Sequence, residues 1–505
     1  MMTLRPVRAH VAACRLLFIV AIVLALPACK EQSGKALRFG LSNMPVSLDP
    51  RFATDAASSR INRLLYQRLV DFDAHYQPVP SLASWEPLSA THYRFHIKRP
   101  SYFSDGRELT AVDVKASYDF VLDPRNASPL RISLANIQRI QTPDKETIDF
   151  YLARADALFP GRLGLGILPQ ALIAQQHPFN RHPVGSGPFE FIAWPQEGRL
   201  RLRRRRDGQL ITFFAVHDPT VRVLKLLRGE IDMLENDIPP ELISYLRQQH
   251  DIQVMSTPGS NFAYLGFNMK DPVVGELVVR RAIAHALNRR AIIKYVMGGA
   301  GRLAVSLLPP DHWASDPALQ PSTYDPDAAR ALLSEAGYGR ANPVHISYKT
   351  SSDPFRLRLA TIIQQQLADV GIDVELKSYD WGTFYGDIKA GRFQMFSLMW
   401  VGIKLPDIYR YVFHSTSVPP AGANRGRFDS PEVDRLIDEA EAGTTLAEQA
   451  RRYRKLQAIL QRQLPYVPLW YEDHVFVARR NISAYHIAKD GNYDGLVNVE
   501  SISEK

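Results

Sequence analysis

This sequence predicts an α/β fold in at least two domains, and three observations predict it. Segments with the two-residue alternation of strands take turns with segments of helical periodicity along the whole chain. The 505 residues exceed what a single hydrophobic core organises. Composition is that of an ordinary globular protein, with 46% hydrophobic, 10% aromatic and 22% charged residues, and no low-complexity tract or short repeat interrupts it.

In chain order, Tyr93, Phe95 and Ile97 alternate with polar neighbours and predict a strand. Thr110-Ala111-Val112-Asp113 has the hydroxyl-to-carboxylate spacing of a capping box just before the apolar Tyr118-Asp119-Phe120-Val121, so a helix starts there. Arg199-Leu200-Arg201-Leu202 alternates again and runs into Arg203 to Arg206. That dense basic run reads as a solvated strand face, with an anion-binding surface as the alternative. Gly298-Gly299-Ala300-Gly301 reads as a turn. Asp325-Pro326 opens a helix with an N-cap and a first-turn proline, and Gly337 ends it. From about Arg356 to Val370, Leu359, Ile362, Ile363, Leu367 and Val370 fall on one helix face. Strand patterns flank that helix at Val344 to Tyr348 and at Ile372 to Leu376, so the three form a βαβ unit with a right-handed crossover. Thr445 caps a long helix that runs to about Leu464, Pro465 ends it, and an apolar Val467-Pro468-Leu469-Trp470-Tyr471 follows.

The N-terminus decides the compartment. Arg5, Arg8 and Arg15 form a cationic region, and Leu16 to Leu26 is an apolar run of 11 residues. A bilayer-spanning helix needs about 20, so the run reads as the core of a signal peptide. Leu26-Pro27-Ala28-Cys29 then resembles the bacterial lipobox, which makes Cys29 the acylated first residue of the mature chain; ordinary cleavage after Ala28, giving a soluble periplasmic protein, is the alternative. The two cysteines are Cys14 and Cys29, so cleavage leaves one and no disulfide forms within the mature chain. Removing residues 1–28 leaves about 477 residues and lowers the net charge from +9 to +6. A modest positive charge suits a lipid surface as well as nucleic acid, and export excludes nucleic acid.

The motifs of several chemistries are missing. There is no G-x-x-x-x-G-K-[ST] phosphate loop, no G-x-S-x-G nucleophile elbow and no H-E-x-x-H pair, and the 14 histidines are scattered. His474, beside Glu472 and Asp473, reads as a surface or hinge cluster rather than a metal site. No enzyme, catalytic residue, metal or cofactor is expected.

A further set of motifs carries a family resemblance. Ser47-Leu48-Asp49-Pro50 with Leu65 to Val70, Tyr93-Arg94-Phe95 through Phe103 to Val114, Val184-Gly185-Ser186-Gly187-Pro188-Phe189, Leu227-Arg228-Gly229-Glu230-Ile231-Asp232, Tyr264 to Asn268, Val279 to Ile283 and Pro465 to Tyr471 together resemble solute-binding protein family 5, the dipeptide, oligopeptide and nickel receptors of ABC importers. The resemblance implies a two-lobed periplasmic-binding-protein clamp (class II-like, cluster C) with an extra subdomain in the first lobe. Residues 37–76, 181–260 and 473–505 would build the first lobe, 77–180 the extra subdomain and 261–472 the second lobe, after a 29–36 tether. The implied role is capture of a peptide or peptide-like solute and its delivery, as a monomer anchored by its lipid, to an ABC permease in the inner membrane. An orphan receptor for signalling or cell-wall peptide sensing, without an importer of its own, is the alternative.

The resemblance also implies a site. Receptors of this type hold the ligand ammonium with an aspartate three positions after a strand-closing tryptophan, here Trp400, and that position is Ile403. An apolar side chain cannot pair with a buried ammonium. Either Asp407 takes the role, beside the opposing Lys404, or the ligand presents no free amine there. The carboxylate anchor is an arginine at the start of the helix before Val370, either Arg356 or Arg358, where a guanidinium fork and free N–H groups lie together. Trp381 and Trp400 supply apolar walls or lobe core. On the first lobe the resemblance points to Asn43, Met44, Asp55, Ser186 and Phe189.

Overall fold

Residues 36–502, apart from 99, 197 and 340, are described in this computed structural model; the leader and Cys29 lie outside them. One mixed sheet of eleven strands organises the described residues. Across it run Phe189–Gln196, Arg199–Arg204, Leu210–Ala215, Leu37–Leu41, Met233–Glu235, Tyr466–Arg479, Ile252–Phe267, Met395–Trp400, Val344–Ser351 and Ile372–Tyr379. Gly301–Leu303 pairs onto Tyr466–Arg479 as well.

Two strands in the middle are long enough to serve both halves. Ile252–Thr257 pairs antiparallel with His474–Arg479, and Asn261–Gly266 with Tyr466–Glu472. Between those blocks the register slips, so Pro258, Gly259 and Ser260 bulge opposite Asp473. A Cβ on Gly259 would stand 2.2 Å from the Glu472 carbonyl oxygen, so the close approach of the strands at the bulge requires glycine. On one side of the bulge, the sheet faces carry a core around Phe39, Leu64, Phe213 and Tyr493 and a smaller one around Leu226, Leu234 and Val477. On the other side, they carry one core around Ile283, Ile346, Ile363 and Trp470 and another around Tyr264, Phe396, Tyr453 and Tyr471. Separate cores joined by two continuous strands are the construction of a two-lobed clamp.

A fifth core lies on a smaller four-stranded sheet, ordered Ala83–Ser89, His92–Ile97, Thr147–Leu152, Ile137–Gln141. Phe95, Tyr118 and Phe150 pack there under the helix Ala111–Leu122. Thr110 is the N-cap of that helix, and the Asp113 carboxylate in its first turn accepts from the Thr110 amide at 2.8 Å. The βαβ unit forms with Val344 to Ser351 parallel to Ile372 to Tyr379 and the helix Pro354–Ala368 between them. Asp325 caps Pro326–Glu335 through the Ala328 amide at 2.9 Å, and Gly337 takes φ +83° beyond its end. Thr445 caps Leu446–Gln463, accepting from the Glu448 amide at 3.2 Å.

Two expectations need correction. Arg204 is not on a solvated face, because strand alternation places it inward with Leu200 and Leu202. Its guanidinium, 3% exposed, meets Asp207 at 2.8 Å and the Leu496 and Val499 carbonyls at 3.0 and 2.7 Å. Of the two alternatives for His474, surface or hinge, the surface one is corrected. The side chain is buried beside the bulge, with Nε2 at 3.0 Å from the Lys489 carbonyl and Nδ1 at 3.1 Å from the Asn236 amide, and burial pushes its imidazole down to about 4.

Candidate ligand-binding cleft

Asp55 begins the first wall of the cleft. It caps the helix Ala56–Leu65 by accepting from the Ser58 amide at 2.8 Å. Ile61, Leu64 and Leu65 of that helix turn into the first-lobe core. The three-residue spacing of Arg60 and Arg63 sets both on the opposite side, toward a cavity of about 440 Å³. The chain continues through Arg68 and Asp71, which also line it. Across the gap stand Val401, Gly402 and Lys404 of the second lobe, and the C-terminal segment adds Asp490 and Asn492.

Ion pairs fix this wall. Arg63 donates from Nε to Asp494 at 2.6 Å and through Nη1 and Nη2 to Asp71 at 3.0 and 2.8 Å, and Arg68 joins Asp71 at 3.0 Å. Lys404 reaches from the second lobe to Asp490 at 2.7 Å, its ammonium 5.2 Å from the Phe72 ring centre. Burial works to raise the Asp490 carboxyl, but the charge and hydrogen bond of Lys404, with Arg63 and the Asn492 amide, together bring the group down to about 2. Lys489 and Asp311 form a second such pair at 2.6 Å. Behind the wall, burial pushes the Glu235 carboxyl up to about 8, while its hydrogen bond from the Tyr485 hydroxyl and the nearby Arg60 work the other way.

A cavity of about 350 Å³ on the second lobe has a different lining: Tyr348, Trp381, Phe384, Met399 and Leu469, with Arg356 as its cation. Val401 lines both spaces. Arg356 is held by Glu472 of the crossing strand at 2.6 and 3.3 Å. Burial tends to raise the Glu472 carboxyl, yet the Arg356 charge and hydrogen bonds keep it below its ordinary value.

Of the residues singled out in the sequence, Asp55 lines the first cavity, and Arg356 and Trp381 line the second. Trp381 is a cavity wall rather than core, 59% exposed and stacked on Tyr385 at 5.3 Å. Arg358 points away from both cavities to Glu241 at 2.9 Å. The other residues line none of the described cavities. Phe189 is 1% exposed in the first-lobe core, with Met44 packed against that core. Asn43 is exposed and sits 3.1 Å from His217. Ser186 is buried, between two glycines that press on the Leu65 carbonyl. Trp400 faces the second-lobe core, 4.7 Å from the Arg425 guanidinium.

The Asp407 carboxylate is bound to Arg162 of the small-sheet region, which Asp156 also holds at 2.7 Å. Ile403 is buried in the second-lobe core. Sequence reasoning missed Arg60, Arg63, Arg68 and Arg162, and named Lys404 only as a cation opposing an ammonium. The one local signal was the spacing of Arg60 and Arg63 on a helix that an expected site residue caps.

Comparison with known proteins agrees with this architecture. The family described as bacterial extracellular solute-binding proteins, family 5 Middle, matches residues 77–419. The chain is 26% identical to the dipeptide-binding protein of Escherichia coli (strain K12), over 93% of this chain and 96% of that one. It is 27% identical to the glutathione-binding protein GsiB of Shigella flexneri, over 94% and 96%. Among solved structures, the periplasmic binding protein DppA from Helicobacter pylori, in complex with the peptide STSA, superposes with a TM-score of 0.78 at 26% identity, over 93% of this chain and 98% of that one. The chain belongs to the family 5 bacterial extracellular solute-binding proteins.

Proposed function

We propose that this family 5 receptor encloses a peptide or peptide-like solute between its lobes and presents the closed form to the permease of an ABC importer. The observation that carries the reading is the cavity of about 440 Å³ walled by Arg60, Arg63 and Arg68 on one lobe and Lys404 on the other. The Lys404–Asp490 pair spans the lobes at its edge. A solute shifts the lobes toward closure only as far as it touches both walls, which makes that shift a report of occupancy. The relatives named for dipeptide and glutathione support a peptide-like solute, and the solved complex with a tetrapeptide supports the same site class.

Lobe boundaries at 260/261 and 472/473 are part of this proposal, supported by the register slip opposite Asp473. So is a small subdomain over 77–180, supported by its own sheet and core. Anchoring through a lipidated Cys29 in the periplasm belongs to the proposal too; among the described residues no helix is long and apolar enough to cross a membrane. No catalytic step is assigned to the chain. Small-angle scattering tests the reading: a bound solute should shift the purified protein from an open to a closed profile. A profile that stays fixed while ligand binds would refute presentation by closure.

A further inference from the structure

A cavity of about 240 Å³ shares Ser59, Arg63, Arg68 and Gly164 with the larger one, so the two form a continuous chamber against the first lobe. Five cations, Arg60, Arg63, Arg68, Arg162 and Lys404, line it against three carboxylates, Asp55, Asp71 and Asp490. Each carboxylate is already engaged. Asp55 caps its helix, Asp71 holds Arg63 and Arg68, and Asp490 holds Lys404 and the Asn492 side chain. Asp55 makes no ion pair, but both its oxygens accept from Ser58; Asp71 and Asp490 are ion-paired, Asp407 is bound to Arg162, and Ile403 carries no charge.

The cations are less fully engaged than the carboxylates. Asp494 fixes Arg63, and Asp156 and Asp407 fix Arg162, yet none of these three lines the chamber. They orient the guanidinium forks and, with the three lining carboxylates, make six against the five cations, so attraction here depends on short-range donor geometry rather than net charge. Arg60 makes no ion pair among the described residues; its guanidinium lies 5.4 Å from the Tyr493 ring centre. Arg68 keeps a buried Nε without a hydrogen-bond partner and shares its one carboxylate with Arg63. A buried donor in that condition is costly unless an acceptor arrives.

We propose that this chamber receives an acidic group of the solute, a carboxylate or a phosphate, on Arg60, Arg68 and Arg162, and that the solute presents no free ammonium there. The inference rests on the solute-capture reading and narrows it to acidic solutes.

The test is a thermal-shift and calorimetric screen of the full-length protein against size-matched probes. Glutarate, N-acetyl-Ala-Glu and inorganic phosphate are the acidic members, N-acetyl-Ala-Gln amide the neutral one and Ala-Gln amide the cationic one. Binding concentrated among acidic probes is expected, with blocked amines tolerated, and phosphate against carboxylate identifies the group. Arg68→Gln should weaken the best acidic probe by about tenfold or more, and Arg60→Gln by several-fold, with unliganded melting points reported for both. Equal or tighter binding of the neutral or cationic probe overturns the inference while leaving solute capture standing. No binding by any member of the screen counts against solute capture itself, and the inference falls with it.

Discussion

The two walls of the cleft are made of different materials. The first-lobe wall is a lattice of guanidinium and carboxylate groups, with Arg63 tied to Asp71 and Asp494. The second-lobe wall is mostly aromatic and aliphatic, with Tyr348, Trp381, Phe384 and Met399 around the ion-paired Arg356, and Lys404 at its edge. A charged wall selects by the sign and placement of a ligand's charges, because each mismatch leaves a desolvated group unpaired. An apolar wall selects by shape and tolerates one methylene more or less. The contrast assigns charge discrimination to the first lobe and side-group tolerance to the second.

Four perturbations break or sharpen that contrast. Glu472→Gln removes the partner of Arg356 at the crossing strand, and chemical denaturation should show a loss of about 2 kcal/mol, moderated by the partial exposure of Arg356. Next, Glu235→Gln separates the charged wall from what lies behind it. The Glu235 carboxyl is raised to about 8 by burial, so its contribution is complete below about 4.5, its ordinary value, and is lost as pH rises through about 8. Melting temperatures of the wild type should therefore fall across that window. The variant should lack this component and exceed the wild type above pH 8 by about 1–2 kcal/mol; parallel pH profiles would exclude Glu235 as the titrating group.

Lys404→Met removes the ion pair between the lobes while keeping the side chain's length. Ligand dissociation, followed by stopped-flow fluorescence, should accelerate by about tenfold, with association changed less. The smallest effect is expected from Trp381→Ala, on the exposed rim of the apolar wall. Stability should stay within about 0.5 kcal/mol, while affinity for solutes with a bulky apolar group drops about threefold. An equal loss for solutes without such a group would contradict the division of labour.

The architecture was legible in the sequence because its signals are local. The capping aspartate before Pro326, the stop at Gly337 and the alternation around Phe95 are read within a few residues, and the structure has a helix, its end or a strand at each. The family motifs added the two-lobed construction. The first-lobe wall was not legible, because its cations come from separate segments and each looks like an ordinary surface charge until the chain folds. Asp407 shows the same limit from the other side. A sequence displays a carboxylate but not its partner, and Arg162 lies 245 residues away. Arg356 and Arg358 looked equivalent for a related reason. Both sit in the first turns of one helix, and only tertiary placement sends one to Glu472 beside the cavity and the other to Glu241.

Native mass spectrometry of the freshly purified full-length protein, with and without Lys404→Met, tests the central claim most directly. Solute capture between the lobes predicts a wild-type peak carrying the added mass of a small acidic molecule, lost on unfolding and diminished in the variant. A bare wild-type mass that no member of an acidic, neutral and cationic probe set increases would contradict it.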